Sequence, residues 1–476
     1  MMTPGNFTKA VIPKGTTTVI TDPHEIGNVW GIEGVRYMHE ASQDLPMRQL
    51  IDIPSCVPAV PGLEHAGAEF GPEAIEELAK LERVVGLAEV MDYLDVIHGG
   101  DRMMDIIRTA EDHGLYLQGH APFVEGRMLS AYLCRGPNTC YESRTAEEAV
   151  EKMRSGMRVD AREADDILHN GHINDVVRAA IRYCMEPVAA IKSATLNSAG
   201  EAGLQNLGAI APGYAADMLL VDDLRELTPS HVFYAGKLVA QEGRLLAEIE
   251  DKSYPLESAN SVHVRKLAAE DFTIHPPVSQ GKVKVNLMKY YDMNLSTTDI
   301  VCEGVWVKDG RIDISGDQDL KFVAVVNRYE GNDNIALGLV RGFGTKTGAL
   351  ASTVSHDSHN LTIVYDNPEE ALIAAEELAR TGGGMCAVKE GKILHTLALP
   401  LAGLMSLKPA EELAEDSAVM KDANRALGLT NMENPLLRIV TLALPVIPDA
   451  KMSDMGLVQV TAKRIVPLFA QLCKKQ

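Results

Sequence analysis

The chain has 476 residues, of which 46% are hydrophobic and 23% are charged, a composition typical of folded proteins and not of disordered or fibrous ones. Its net charge of -21 argues against nucleic-acid binding, because an acidic surface repels phosphate groups and no long basic run offsets it. The seven cysteines are dispersed without a C-x-x-C pair, the first residues lack a signal peptide's apolar core, and no apolar run reaches the ~20 residues of a membrane span. We therefore expect a cytoplasmic protein. Its expected partner is a small molecule or another protein chain.

The first half of the chain alternates short apolar runs with amphipathic segments. Each apolar run ends in polar residues, and six such runs predict strands over 16–25, 48–57, 83–92, 115–122, 137–142 and 156–163. Apolar residues at i, i+3, i+4 spacing predict helices between them over 72–82, 101–114 and 145–156. This alternation indicates an α/β fold with a parallel sheet, either doubly wound or a (β/α) barrel, and a closed barrel of that type needs eight strands.

The rest of the chain changes character twice. Two helical segments, 174–184 and 187–200, precede a stretch of short β runs and turns in which "YAGKLV" predicts a hairpin. A weakly patterned linker begins near residue 253, and the unit after it contains a helix that starts at Pro368 and ends at Gly382. We therefore expect a barrel over 1–206, a β-rich segment over 207–252 and a C-terminal domain over 260–476.

Polar residues gather where the predicted strands end, which is the edge at which α/β folds bind ligands. On a strand, the adjacent His24 and Glu25 would point to opposite faces unless a turn at Pro23 redirects one of them. The strand-end residues are Asp22, His24, Glu25, Ser55, Glu89, His120, Glu142, Arg162 and Glu163.

Histidine spacing does not by itself establish a metal site. None of the 14 histidines lies two positions from another, so the His-x-His pair that a barrel strand uses for metal binding is absent. Two His-x-x-His pairs, His169 with His172 and His356 with His359, lie in polar segments and are either ligands or side chains that stabilise turns.

Glu89 and His120 each leave two alternatives. Glu89 lies in the apolar run "GLAEVMDY", where a buried carboxylate needs a partner, so it is either a strand-end ligand or acid/base group, or the partner of an arginine. His120 in "LQGHAP" is either a metal ligand or an ordinary strand-end histidine. The zinc-deaminase pattern, the G-x-S-x-G elbow, the Walker loop and a convincing dinucleotide fingerprint are all missing from the sequence.

Taken in order, the motifs resemble the adenine deaminase family of the amidohydrolase superfamily. The first half carries "TTTVITDPHEIGNVWG", "PSCVPAVPGLEHAGAEF", "GLAEVMDY", "GHAP", "GHINDVVRAAI" and "LGAIAPGYAADMLLVDDL". The second half carries "GFGTKTGALASTVSHDSHN", "LPLAGLMS" and "LALPVIPDAKMSDMGLV". The likeness covers nearly the whole chain, and these motifs are highly specific.

This resemblance implies an incomplete (β/α) barrel of the amidohydrolase type, a small β segment of the amidohydrolase sandwich, and an α+β C-terminal domain. It implies an enzyme that converts adenine and water to hypoxanthine and ammonia, with one or two divalent metals that activate the attacking water. Manganese is the first expectation, with iron or zinc as alternatives. The protein would act on a small-molecule purine, without nucleic acid or membrane, as a homo-oligomer.

The resemblance also assigns roles to individual residues. Glu89 matches the family's bridging carboxylate and His120 its fifth-strand histidine, so these two are the expected metal ligands. Acidic side chains would move protons, and a further set would bind the purine. The expected catalytic residues are Glu89, Glu142 and Glu163, and the expected substrate-binding residues are Asp22, His24, Glu25, Arg162, His356, Asp357 and His359.

Three departures from the family pattern bear on activity. The family's first barrel strand with its His-x-His pair precedes the region where this chain begins, Tyr141 stands where the sixth-strand histidine would be, and the eighth-strand aspartate is missing. Two ligands do not define a catalytic metal site. We therefore keep three alternatives: a deaminase with substitute ligands such as Tyr141 or the His356/His359 pair, a catalytically inactive purine-binding or oligomer-forming relative that need not hold metal, and a poorly folding product.

Overall fold

The first part of the chain forms an open parallel sheet. The structure, a computed structural model, describes residues 1–161, 167–168, 170–250, 252, 259–291 and 297–470. Strands β1 to β4 pair in parallel in chain order, and β5 and β6 form a second parallel pair. The strands span Thr18–Thr21 (β1), Arg48–Pro54 (β2), Val84–Val90 (β3), Tyr116–Gly119 (β4), Thr139–Cys140 (β5) and Arg158–Val159 (β6). All six predicted strands are confirmed, and the described part of the barrel is incomplete.

Helices follow these strands and bury their apolar faces against them. Ile75 and Ile106, from two such helices, pack with Ile53 and Leu87 of the sheet in one apolar cluster. Thr145 accepts a hydrogen bond from the Glu148 amide and so caps the helix predicted there. The helices span Pro4–Val11 (α1), His24–Trp30 (α2), Ile32–Ala41 (α3), Pro72–Leu78 (α4), Tyr93–His98 (α5), Asp101–Asp112 (α6), Gly126–Leu133 (α7), Ala146–Arg154 (α8), Ile173–Arg182 (α9), Pro187–Lys192 (α10) and Ser198–Glu201 (α11).

A small antiparallel sheet follows, in the order β10-β9-β8-β7. The predicted hairpin is confirmed, since β8 and β9 are joined by Ala235 and Gly236, whose φ angles of 48° and 78° are those of a tight hairpin turn. The strands span Met218–Val221 (β7), Pro229–Tyr234 (β8), Lys237–Gln241 (β9) and Arg244–Leu245 (β10).

The last part of the chain is built on a nine-stranded sheet in the order β13-β12-β11-β15-β14-β17-β16-β18-β19, with a three-stranded sheet, β20-β21-β22, beside it. Its strands span Gly281–Tyr290 (β11), Thr298–Lys308 (β12), Arg311–Asp313 (β13), Leu320–Val326 (β14), Ile335–Arg341 (β15), Ala349–Ser352 (β16), Leu361–Tyr365 (β17), Gly384–Lys389 (β18), Lys392–Ala398 (β19), Ala450–Ser453 (β20), Gly456–Gln459 (β21) and Arg464–Val466 (β22). Its helices span Pro368–Thr381 (α12), Ala410–Leu427 (α13) and Leu437–Val440 (α14).

Both faces of the nine-stranded sheet are covered. Along β14, Val323 and Val325 belong to one apolar cluster, whereas Phe322 and Ala324 belong to another, as the two-residue period of a strand requires. Helix α12 packs on one face and α13 on the other. This arrangement explains why β14 and β17 are buried along their whole length.

Polar contacts join the barrel part to the C-terminal part. The His65 imidazole pairs with Asp454 at 2.7 Å, and the Asn360 side chain donates to the His65 carbonyl at 2.8 Å. Lys463 forms an ion pair with Asp92 at 2.8 Å. The Asn360 contact holds the loop 353–360, between β16 and β17, against the segment that follows β2. None of the described helices is long and apolar enough to cross a membrane.

Candidate active site

Four polar side chains meet at the carboxyl ends of the parallel strands. Asp22 and His24 follow β1, Glu89 is the next-to-last residue of β3, and His120 follows β4. The first predicted strand extended to Glu25, but β1 ends at Thr21 because Pro23 has no amide hydrogen for a sheet, and His24 begins α2 instead. His24 and Glu25 are therefore in the first turn of a helix and both line the same cavity.

Glu89 and His120 form a buried pair. The distance from His120 Nδ1 to Glu89 Oε2 is 2.5 Å. Burial acts to raise the pKa of Glu89, but His120 outweighs it and holds that pKa at about 2. The residue before His120 must be glycine, because a Cβ on Gly119 would lie 2.8 Å from the hydroxyl oxygen of Tyr132. That oxygen accepts a hydrogen bond from the His120 amide.

His24 connects this pair to three more carboxylates. Its Nδ1 lies 2.8 Å from Asp22 Oδ2 and 3.9 Å from Glu89 Oε1, and its Nε2 lies 3.7 Å from both Asp357 Oδ1 and Glu25 Oε1. Burial acts to lower the pKa of His24, but the charges of Glu25 and Asp22 outweigh it and raise the pKa well above its ordinary value. The sequence predicts two metal ligands, Glu89 and His120. The structure places two further donors, Asp22 and His24, beside them.

The donor set fits a divalent cation. Asp22 Oδ1 and Asp357 Oδ2 are buried and have no hydrogen-bond partner among the described residues, which is unusual for buried polar atoms. Burial raises the pKa of Asp22 to about 6 and also raises that of Asp357, so the protein alone leaves these carboxylates poorly compensated. Clustered imidazoles and carboxylates with unused lone pairs are typical ligands of first-row metals.

Tyr141 and Glu142 lie beside this donor set and line the same cavity. The Tyr141 hydroxyl donates a hydrogen bond to the Glu89 carboxylate, and its oxygen lies 3.4 Å from His120 Nδ1. Burial, and then the charge of Glu89, raise the pKa of Tyr141 well above its ordinary value, so the phenol stays protonated and donates. Glu142 pairs with Arg144 at 2.8 Å, so this expected catalytic residue lines the cavity as half of an ion pair.

The C-terminal loop 353–360 contributes the other wall of the site. His356 and Asp357 line the cavity. His359 is fully buried, its Nδ1 accepts from the Ser355 amide at 3.2 Å, and it is not part of the cavity wall. Burial, and then the neighbouring His356, hold the pKa of His359 well below its ordinary value, so that imidazole is neutral.

Of the other predicted residues, Arg162, Glu163 and His169 lie outside the described residues. His172 contacts Thr16 Oγ1 at 2.9 Å and the ring of Phe7, which agrees with a structural role for that histidine.

A cavity of about 1120 Å³ lies over the site. Its polar lining includes His24, Glu89 and His120. Part of its wall comes from Leu413 of α13 and from Leu437 and Arg438 of α14. Apolar side chains beside a few convergent polar groups are typical of small-molecule sites.

Cys56 was not expected at the site from the sequence, where it is one of the seven dispersed cysteines. A donor atom of Cys56 lies within 4.8 Å of donor atoms of Asp22 and His24. Its position two residues after β2 is the signal that could have found it, because the ends of neighbouring parallel strands meet at one edge.

Comparison with known proteins covers nearly the whole chain. Residues 296–464 match the adenine deaminase C-terminal domain, and residues 1–132 and 128–239 match the amidohydrolase family. The chain is 38% identical over 504 residues to an adenine deaminase of Moorella thermoacetica, covering 98% of this chain and 84% of the relative. It is 36% identical to adenine deaminase 2 of Carboxydothermus hydrogenoformans and 36% identical to an adenine deaminase of Bacillus velezensis, in each case over 98% of this chain and 86% of the relative.

Proposed function

The chain belongs to the adenine deaminase family of the amidohydrolases, a generally metal-dependent group of hydrolases, and on that premise we propose that it converts adenine and water to hypoxanthine and ammonia. The observation that carries this proposal is the contiguous group of Asp22, His24, Glu89 and His120 at the ends of the parallel strands, beneath a cavity large enough for a purine. These four side chains support the proposal, because they offer donors in place of the family ligands that the sequence lacks.

We propose that Glu89 and His120, with Asp22 and His24 beside them, hold a divalent metal. A bound metal would act as a Lewis acid and lower the pKa of a water molecule. Manganese suits the carboxylate oxygens of this group.

The protein's own residues would manage the protons that the reaction moves. Addition of water at C6 requires a proton at a ring nitrogen and another at the departing amine. Glu89, whose pKa is held at about 2, accepts protons poorly but carries the negative charge that orients His120. Asp357, whose pKa is raised by burial, can hold a proton on its unpartnered Oδ2 and donate it to a purine nitrogen. Tyr141 donates from its protonated hydroxyl.

Several remaining assignments belong to the same proposal. His24, Glu25, His356 and Asp357 would bind the purine's polar edge, and Glu142 would orient groups through its pair with Arg144. Arg162 and Glu163 keep the roles expected from the sequence, whereas His359 would support the loop 353–360 from behind the cavity wall and not contact the purine.

The test is ammonia release from adenine by the purified full chain in excess manganese, with elemental analysis of the same sample. We expect turnover together with at least about one metal per chain, as a catalytic metal site requires. Stoichiometric metal without ammonia would overturn the proposal. Adenine binding by calorimetry in that case would support the inactive purine-binding alternative.

We propose further that the protein is a cytoplasmic homo-oligomer. Support for assembly comes from β1 and β4, which are edge strands of the four-stranded sheet in the described part of the barrel and can pair with another chain. Support for the compartment comes from the free thiols of the cysteines that the structure describes. Sedimentation of the purified chain as a monomer would contradict the assembly.

A further inference from the structure

A second cavity, of about 420 Å³, lies in the C-terminal part of the chain. It is lined by the segment that follows β13, by the residue after β17 and by the first residue of α12. Its described lining residues include none of those that line the larger cavity at the parallel strands. Small-molecule sites typically have volumes of about 300–1,000 Å³, so this cavity has room for a ligand of its own.

Several charged groups around this cavity already have partners within the protein. Arg311 pairs with Glu270 at 3.0 Å, and Asp317 pairs with Arg341 at 2.8 Å. Asp313 accepts a hydrogen bond at 2.9 Å from the backbone amide two residues further along the chain. These groups are therefore already compensated, and a ligand would be anchored by others.

Two lysines that line the cavity have amine donors without a partner. The Lys321 side chain is 3% exposed, and its Nζ donates to the Gln318 carbonyl at 2.9 Å and lies 4.0 Å from Asp366 Oδ2. An ammonium group has three donors, so this buried cation is only partly satisfied by the residues that the structure describes. Burial lowers the pKa of Lys321, as it does for a cation that is incompletely compensated. The amine of the exposed Lys346 has no hydrogen bond or ion pair with another described residue.

The balance of charge favours a ligand with a single negative charge. Asp366 offsets Lys321, which leaves the ammonium group of Lys346 as an excess positive charge. Asp313 and Asp317 line the same cavity, and their carboxylates would repel a doubly charged phosphate more strongly than a singly charged carboxylate.

Apolar side chains complete the cavity wall. Phe322, Ile314 and Pro368 all line it. The Phe322 ring stacks on the ring of Tyr365 with the centroids 5.5 Å apart, which holds that part of the wall in place. A ligand that suits this wall has an apolar body next to its charged group.

We propose that this cavity binds a small organic monocarboxylate with an apolar body, whose carboxylate is held by the amines of Lys321 and Lys346. Hydrogen bonds between charged groups are the strongest that such a site offers, and the bound carboxylate would compensate the buried ammonium of Lys321. The apolar body would displace water from Phe322 and Ile314. The inference goes beyond the proposed function, because the two cavities share no described lining residue.

Calorimetric titration of the full chain with phenylacetate tests the proposal. Phenylacetamide and phenethylamine have a similar body with a neutral and a positive head group, respectively, so they isolate the contribution of the negative charge. We expect saturable binding of one phenylacetate per chain. The other two compounds should bind at least about tenfold more weakly, since each lacks the charge-assisted hydrogen bonds.

Two variants place the binding at this cavity. Lys321→Met and Lys346→Met keep an apolar stem and remove the charge, and each should weaken phenylacetate binding by about tenfold. Lys392→Met is the matched control, because Lys392 is exposed on β19 of the same sheet and does not line the cavity. It should bind phenylacetate as the wild type does.

Three results would overturn the proposal: no saturable binding of phenylacetate, equal binding of phenylacetamide, or wild-type affinity in both cavity variants. If Lys321→Met does not give the wild-type circular dichroism spectrum, the exposed Lys346→Met decides the point alone. Ammonia release from adenine is not a readout of this titration, so its outcome leaves the second cavity unaffected.

Discussion

The carboxyl-terminal edge of the parallel strands buries polar side chains, whereas the nine-stranded sheet buries apolar ones. At the edge, Asp22, Glu89 and His120 are removed from most solvent, and Asp22 Oδ1 has no hydrogen-bond partner among the described residues. In the nine-stranded sheet, adjacent residues such as Val323 and Ala324 fill two apolar cores. Burying polar groups costs free energy, whereas burying apolar groups provides it, so the sheet stabilises a fold whose edge is arranged for a ligand.

The two regions are not independent, because the loop 353–360 leaves the stable sheet and reaches the polar edge. Asp357 in this loop lies 3.7 Å from His24, and the loop is held in place by the contact of Asn360 with the His65 carbonyl. The C-terminal part therefore has two roles, a stabilising one in its core and a binding one in this loop.

The largest effect is expected from Glu89→Gln. The amide keeps the shape but removes the charge that pairs with His120 at 2.5 Å, so the metal is no longer retained and His120 is no longer oriented. We expect kcat/KM for adenine to fall by about 10³-fold, within the range for groups that act directly in catalysis. Steady-state ammonia assays with metal analysis measure both effects.

Glu73→Gln is the matched control, since Glu73 is exposed on α4. Equal activity of the Glu89 variant and this control would show that the polar edge is not the reacting centre.

The nine-stranded sheet should respond to a different kind of change. Ile363 in β17 is fully buried in one of its apolar cores, and Ile363→Ala should lower the free energy of unfolding by about 2–5 kcal/mol. Ile393→Ala in β19 removes a side chain that is 43% exposed, and should cost about 0.5 kcal/mol or less. Urea unfolding compares the two, and equal costs would contradict the assigned core.

Glu64 is a buried carboxyl group close to Asp357, so its ionisation shows what it costs to bury a charge between the polar edge and the C-terminal part. Burial, and then the charge of Asp357, raise the pKa of Glu64 from 4.5 to about 8. Between those values the unfolded chain loses the proton while the folded chain keeps it, so stability falls as pH rises through this window. Glu64→Gln should therefore be more stable than the wild type at pH 8 by a few kcal/mol and equal to it near pH 4.5.

Unfolding free energies measured across this pH range, with the exposed Glu69→Gln as control, decide this point. A constant difference between Glu64→Gln and the wild type would show that Glu64 ionises normally in the folded chain.

The sequence predicted the fold well, because strand and helix periods are local signals. The six parallel strands, the hairpin at Ala235 and the helix that begins at Pro368 all lie where the patterns indicated. The site was harder to predict. The turn at Pro23 redirects His24, and the approach of Asp357 depends on how two distant parts of the chain pack, which neither periodicity nor spacing encodes.

The smallest effect is expected from Asp357→Asn, and it examines whether the stable sheet contributes to binding. Asp357 lies 3.7 Å from His24 Nε2 and has a buried oxygen without a partner, so its proposed role is to hold the purine's ring nitrogen. An amide still donates a hydrogen bond but cannot transfer a proton. We expect kcat/KM to fall by about 100-fold, the low end of what a general acid contributes, with metal content unchanged.

Asp333→Asn, in an exposed turn of the same part of the chain, is the control. If Asp357→Asn also lost the metal, Asp357 would belong to the metal site, as a ligand or as the partner of His24, and its role would not be to bind the purine. If it matched Asp333→Asn in kcat/KM, the C-terminal loop would serve stability alone, and the polar edge of the parallel strands would have to supply every group that contacts the purine.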